Sequence, residues 1–285
     1  MRILYFGIPL GAVSLAEAGF SPAVVCAGPL DLPGRRRLRR RLPNSLLLGL
    51  PNLHDEGVQR ALRDAAPDLT LSFFWPRQIP PAALALAPAL GTHPSLLPRW
   101  RGPDPYYWAI RSGDRTTGVT LHRLDESYDT GHVVATREVD IDAAETSWSL
   151  ARKLDRPALA LLLEAASRAA EGDPLLGTPQ PDEGVTHAPA PSANELAIDW
   201  TQPAHDVDAQ VRAAAPAPGA TAEFGATLAV VLQVEVTDDR PPVGLVASEA
   251  WRSGRGWCVR CGEGAVRLLE VHDSEGALLD LDAVL

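Results

Sequence analysis

Thr92-His93-Pro94-Ser95-Leu96-Leu97-Pro98-Arg99-Trp100-Arg101-Gly102 is the stretch on which the reading of this chain turns. It follows an apolar run, Ala82 to Leu90, and passes through two prolines to a glycine. Proline fixes φ and removes a main-chain donor, so Leu96 to Arg101 is predicted to be a fixed loop. Such a loop at a strand end presents His93 to a cleft. Further on, Gly118 to Leu124 alternates like a strand and runs into Asp125-Glu126-Ser127-Tyr128-Asp129-Thr130-Gly131, a turn carrying a carboxylate. Imidazole and carboxylate, each at a strand exit, form a general acid/base pair in outline. Taken alone, a surface histidine and a turn aspartate give the same pattern.

Working outward, Ile3 to Phe6 reads as a strand, Ala12 to Ala18 as a helix and Ala23 to Ala27 as a second strand, the start of a βαβ unit. The intervening turn lacks Gly-x-Gly-x-x-Gly, so nothing argues for a dinucleotide. Val58 to Ala65 predicts a helix, Asp68 to Phe73 a buried strand, and Pro80 to Leu90 a short helix before the strand that carries His93. Tyr106 to Ile110 predicts a helix packed on the sheet, and Val133 to Val139 a strand. His122 itself alternates with apolar neighbours and reads as structural. Thr146 and Ser147 are natural caps for a helix running to about Glu171. Gly172 to Pro191 has no apolar period and reads as a linker. Thr201 is expected to cap a helix near Pro203. Short runs follow at Thr227 to Val234, Gly244 to Ala247, Trp257 to Cys261 and Ala265 to Val271, which fit a small β-barrel.

Composition narrows the classes. The 285 residues are 46% hydrophobic and 22% charged, ordinary for a protein with a real core. No run of eighteen apolar residues exists, so no membrane span is expected. The N-terminus enters a strand directly, without a signal-peptide pattern, and three cysteines fit a reducing compartment; a cytoplasmic location is expected. Cys26 is expected to be buried and inert. Cys258 and Cys261 form a lone Cys-x-x-Cys without a second ligand pair, so no metal is expected. The net charge is −10, and Glu195 to Leu285 holds fifteen acidic residues against six arginines. Such a segment repels phosphates. Gly34 to Leu42 is the opposite, with six arginines between Arg35 and Arg41. It reads as a solvated face or as a grip for a phosphate or carboxylate.

The motif His93-x-Ser95-Leu96-Leu97-Pro98-x-x-Arg101-Gly102, followed by Gly118-Val119-Thr120 and Asp129-Thr130-Gly131, resembles the signature of the folate-dependent formyltransferases. That family comprises the methionyl-tRNA formyltransferase group and its sugar N-formyltransferase relatives. Met1 to Gly7 is similar to the family's first strand and turn. Asp199-Trp200, Val211-Arg212-Ala213 and Pro216-x-Pro218-Gly219-Ala220 resemble the opening of its C-terminal domain. The resemblance implies an α/β fold: a Rossmann-like formyltransferase domain over residues 1–185 and a smaller OB-like β-barrel domain over 186–285. It implies 10-formyltetrahydrofolate, or another reduced folate, as donor. His93 and Asp129 become the catalytic pair, His93 stabilising the tetrahedral intermediate and protonating the leaving N10. Phe74, Trp75, Arg77, Ser95, Leu96, Leu97, Pro98, Leu124, Asp125 and Glu126 are expected to border the folate. Gly91, Arg101, Gly102 and His132 are expected on the acceptor side.

One position departs from the family. Its Asn, two residues before the His, is Gly91 here. Side chains alternate along a strand, so only position 91 shares a face with His93. Losing one oxyanion donor typically costs about 10²–10³ in rate. Because Glu195 to Leu285 is acidic, the expected activity is formyl transfer to the amine of a small molecule or carrier-bound metabolite, with no tRNA. A different reaction in the same cleft, hydrolysis or methylene-level transfer, and a non-catalytic folate- or ligand-binding protein are the alternatives. The oligomeric state is not legible.

Overall fold

The computed structural model describes residues 1–28, 35–254 and 256–285. Among them the chain forms β1 (Ile3–Gly7), α1 (Pro9–Glu17), β2 (Val24–Ala27), α2 (Arg35–Arg41), β3 (Leu46–Gly49), α3 (Glu56–Asp64) and β4 (Leu69–Phe73). It continues with α4 (Pro81–Leu84), β5 (Ala89–His93), α5 (Pro105–Arg111), β6 (Thr116–Arg123), β7 (Val133–Asp140) and α6 (Ser147–Ala170). Then come α7 (Ala193–Leu196), α8 (Ala204–Ala214), β8 (Ala220–Phe224), β9 (Thr227–Val236), β10 (Ala250–Ser253), β11 (Gly256–Arg260), β12 (Ala265–Asp273) and α9 (Leu281–Val284). Two compact units result. The first is Met1–Pro103 with Thr117–Val139 and Lys153–His187; the second is Asp104–Thr116 with Asp140–Arg152 and Ala188–Leu285.

The first unit is built on a seven-stranded sheet in the order β3-β2-β1-β4-β5-β6-β7. β3, β2, β1, β4 and β5 are parallel, and β6 runs antiparallel to β5. β1, β4 and β5 are buried along their whole length, as continuous apolar runs covered on both faces should be. Leu4, Phe6, Val24 and Leu62 form the centre of one core cluster. Successive strands step outward from β1 to β3, then return to its other side at β4. The carboxyl ends of β1 and β4 thus flank the point where strand order reverses, the place where open α/β sheets leave a crevice. The Phe74–Trp75 turn leaves β4 there, and His93 ends the next strand, β5.

The second unit carries a five-stranded antiparallel sheet, β10-β11-β12-β9-β8. Fold class is as expected: a parallel, Rossmann-like sheet domain followed by an antiparallel sheet domain. The details differ in places. Gly244 to Ala247 is a turn, and the strand lies at Ala250–Ser253. The Thr201 hydroxyl donates to Asp199 Oδ1, and α8 begins after Pro203 with no side-chain cap. α4 ends at Leu84, because Ala89 and Leu90 already pair with Thr70 and Leu71. α5 packs on α8: Tyr107 donates its hydroxyl to Glu195 O and Trp108 its Nε1–H to Pro189 O. The short edge strand β3 and strand β8 carry too little pattern to be marked from sequence.

Gly34 lies outside the described residues. α2 exposes Arg36, Arg37, Arg39, Arg40 and Arg41 and buries Leu38; Arg41 pairs with Glu17 at 3.2 Å. The cysteines are free and buried, and burial pushes Cys26 up to about 12 and Cys261 to about 11. Among the described residues no helix is long and apolar enough to cross a membrane.

Leu71 is fully buried in the middle of β4. Leu71→Ala is expected to destabilise the protein by roughly 2–5 kcal/mol in denaturant unfolding.

Candidate active site

The site is assembled by one strand pair. In β5–β6, Gly91 lies opposite His122 and His93 opposite Thr120. Gly91 and His93 share a face because side chains alternate, and directly opposed residues of an antiparallel pair share a face too. His122 is thereby placed beside His93, the rings 6.4 Å apart and nearly perpendicular.

Asp129 completes the group. Its Oδ1 lies 3.4 Å from His93 Nδ1 and 3.7 Å from His122 Nε2, while Oδ2 accepts the Gly102 N–H at 2.9 Å. The three side chains are 7%, 3% and 17% exposed for His93, His122 and Asp129. The far nitrogens are fixed as well. His93 Nε2 is 2.8 Å from Trp100 O, and His122 Nδ1 is 2.9 Å from Arg123 O. A carbonyl oxygen only accepts, so both of these nitrogens carry hydrogen. Each imidazole therefore turns its remaining nitrogen to the same carboxylate oxygen. Burial holds His122 down at about 4, against the pull of Asp129 and with help from His93, so it is neutral near pH 7. Read from sequence as a structural strand residue, His122 instead stands at the carboxylate. Its register opposite position 91 was the available signal, and it needed the strand pairing to be known.

The loop after His93 is pinned at many points. Ser95 Oγ donates to Arg99 O at 2.5 Å, and Thr120 Oγ1 donates to Ser95 O while accepting from Leu97 N–H. The segment expected to be a linker takes part. Thr186 Oγ1 accepts the Trp100 N–H at 2.8 Å and Thr186 O accepts the Arg101 N–H at 3.0 Å. Gln180 Oε1 accepts from Arg101 Nε and Nη2, and Gln180 Nε2–H2 donates to Asp129 O and Gly131 O, both at 2.8 Å. Residues up to 187 are thus a clamp, which polar residues without periodicity do not reveal. Asp129 itself sits at φ +59°, and a Cβ on Gly131 would lie 1.9 Å from Arg123 O. Only glycine permits that approach of turn to strand.

The remaining expected residues fall into two sets. Leu124 occupies the room a side chain at Gly91 would use: a Cβ there would meet Leu124 Cδ2 at 2.8 Å. Leu97 is buried, and Leu96 Cδ2 presses on Gly118. Phe74, at φ +53°, stacks on Phe73, and Trp75 meets Phe6 edge-on at 5.7 Å with its Nε1 buried and unpartnered. Pro98 and Gly102 are half-buried. By contrast, Arg77, Asp125, Glu126 and His132 are exposed. Asp125 accepts from Ser127 N–H and Thr130 Oγ1, Glu126 O accepts from Gln78, and His132 O accepts the Arg123 N–H.

A strand-borne His, a turn-borne Asp and a pinned loop thus meet at the carboxyl edge of a Rossmann-like sheet. The chain belongs to the formyl transferase family: residues 40–166 match Formyl transferase and residues 192–285 match Formyl transferase, C-terminal domain. It is similar to methionyl-tRNA formyltransferase of Roseobacter denitrificans, 35% identical over 95% of this chain and 91% of the relative. It is likewise similar to the methionyl-tRNA formyltransferase of Anaeromyxobacter dehalogenans, 36% identical over 97% of this chain and 93% of that one. Among solved structures, HypX from Aquifex aeolicus in complex with tetrahydrofolic acid shares the fold at TM-score 0.67 and 23% identity. All of this chain is covered there, but it spans just under half, 47%, of HypX. An N-formyltransferase from Helicobacter canadensis, in complex with folinic acid and dTDP-3-aminofucose, gives TM-score 0.69 at 12% identity over 94% of this chain and 99% of that one.

The depressed His122 fixes a sign for stability. Between about 4 and 6.5 the unfolded chain holds a proton on this residue that the native state excludes, so stability falls as pH drops through that window. His122→Asn is expected to flatten this limb in denaturant unfolding at a series of pH values. Gln180→Ala, which leaves the Asp129 and Gly131 carbonyls unpaired, is expected to cost about 1–3 kcal/mol by the same measurement.

Proposed function

We propose that this protein transfers a formyl group from 10-formyltetrahydrofolate to a primary amine. The observation that carries the reading is the His93–Asp129 pair, 3.4 Å apart at the exits of neighbouring strands, in a chain of this family. The residues fit a reduced folate. Trp75 offers a buried, unpartnered N–H, and Leu86 and Leu124 pack with it beside the core as apolar surface. A flat ring with polar edges suits such a wall. The folate supplies a formyl group already activated on nitrogen. His93, with Nε2–H held by Trp100 O and Nδ1 facing Asp129, gives up from Nδ1 the proton that the departing nitrogen needs. Asp129 draws a proton from the acceptor amine and balances the charge on His93. The pinned Ser95-to-Gly102 loop holds both reactants in place. We place the reaction in the cytoplasm.

For the acceptor we favour a small molecule or a carrier-bound metabolite over tRNA. The second unit is acidic, and three of its arginines are already engaged: Arg212 with Asp208, Arg252 with Asp282, and Arg267 with Glu235 and Asp239. The exposed arginines of α2 then suit one phosphate-bearing group, such as a nucleotide-linked amino sugar or a phosphopantetheinyl carrier. Aminoacyl-tRNA is the second reading, favoured by the methionyl-tRNA formyltransferases to which the chain is similar.

The test is turnover with 10-formyltetrahydrofolate, followed by mass spectrometry, over nucleotide-linked amino sugars, a loaded carrier protein, methionyl-tRNA and no acceptor. N-formylation of a small or carrier-bound amine is expected. Formylated tRNA moves the chain to the second reading, and formate without acceptor makes it a hydrolase. His93→Ala is expected to lower turnover by about 10²–10⁴-fold, and an unchanged rate refutes the assignment. Gly91→Asn combined with Leu124→Ala, which clears the obstructing methyl, is expected to raise kcat; a fall shows that the glycine is an adaptation.

A further inference from the structure

The carboxylate of Asp129 has one imidazole more than a simple acid/base pair needs. His122 Nδ1–H is committed to Arg123 O, which leaves a bare lone pair on Nε2, 3.7 Å from Asp129 Oδ1. His93 Nε2–H is committed to Trp100 O in the same way, and its Nδ1 is 3.4 Å from that oxygen. Three acceptor atoms with no hydrogen among them would repel one another in a low-dielectric setting. One mobile proton shared by the three removes the conflict, and its resting place is the closer pair, His93 Nδ1 with Oδ1.

We infer that His122 is a positioning residue for the transfer reaction: a second imidazole beside Asp129 that takes over, at Nε2, the proton the carboxylate collects from the acceptor amine. The inference rests on the amine-transfer reading. The balance is closed. The amine loses one proton to Oδ1, which passes it to His122 Nε2. His93 gives one proton to the departing nitrogen. The stored proton then returns through Oδ1 to His93 Nδ1, and no outside proton is consumed. With His122 as store, Asp129 is again an anion while His93 is still an acid, so the two proton steps need not wait for each other. The groups facing His122 are His93 from β5, Asp129 and Asp125 from the turn after β6, and the Arg123 carbonyl.

Two measurements test this. The first is ¹⁵N NMR of the histidine ring nitrogens in the wild-type chain. Hydrogen on His122 Nδ1 and none on Nε2 at pH 7 is expected; hydrogen on Nε2 overturns the inference. This result does not depend on any acceptor being known, so it stands apart from the fate of the transfer reading. The second is kcat and KM against pH for His122→Asn, which keeps a donor to Arg123 O but has no basic nitrogen, and for His122→Met, which fills the volume. A fall in kcat on the order of 10²-fold with KM unchanged and an altered pH profile is expected in both. Wild-type kcat in either folded variant overturns it, because a purely structural residue would be replaced without that loss.

Discussion

Everything in the candidate site converges on one carboxylate. Asp129 is approached from three directions, by two imidazoles on neighbouring strands and by the Gly102 N–H, which donates to it on the far side. His93 and Gly102 are far from it in sequence. Each is brought by a different constraint: strand pairing for the histidines, a proline-bounded loop for Gly102, and a left-handed turn for the aspartate itself. A buried carboxylate without such partners would be costly or neutral. With them it is fixed next to the imidazole of His93.

The same convergence explains what the sequence disclosed and what it withheld. The sheet was legible because β1, β4 and β5 are unbroken apolar runs. His93 and Asp129 were legible because a proline-rich loop and an Asp-x-Gly turn mark them locally. His122 was not, since its importance lies in which residue it faces. Gln180 and Thr186 were less so. They act through single side-chain hydrogen bonds from an aperiodic segment, and nothing about a glutamine in a polar stretch says which carbonyl it will find. Leu124 filling the place of the family's Asn is likewise a packing fact, invisible until the Gly91 Cβ direction is known.

Charge is distributed unevenly and in a way that matters for the partner. The basic helix α2 buries Leu38 and shows Arg36, Arg37, Arg39, Arg40 and Arg41 outward, with Arg41 tied to Glu17. The antiparallel unit spends several of its arginines on its own carboxylates, Arg267 being buried among Glu235, Asp239 and Thr237.

The clamp formed by Gln180 and Thr186 has a bearing on how the molecule comes into being. On the ribosome, β1 through β7 emerge before the segment that ties down the Arg101 and Asp129 backbones. A nascent chain can form its sheet and its hydrophobic interior while the reactive corner is still slack. The corner tightens only when the stretch beyond α6 has cleared the exit tunnel and folded back. Competence in this protein therefore arrives after architecture, and is conferred by its least patterned residues.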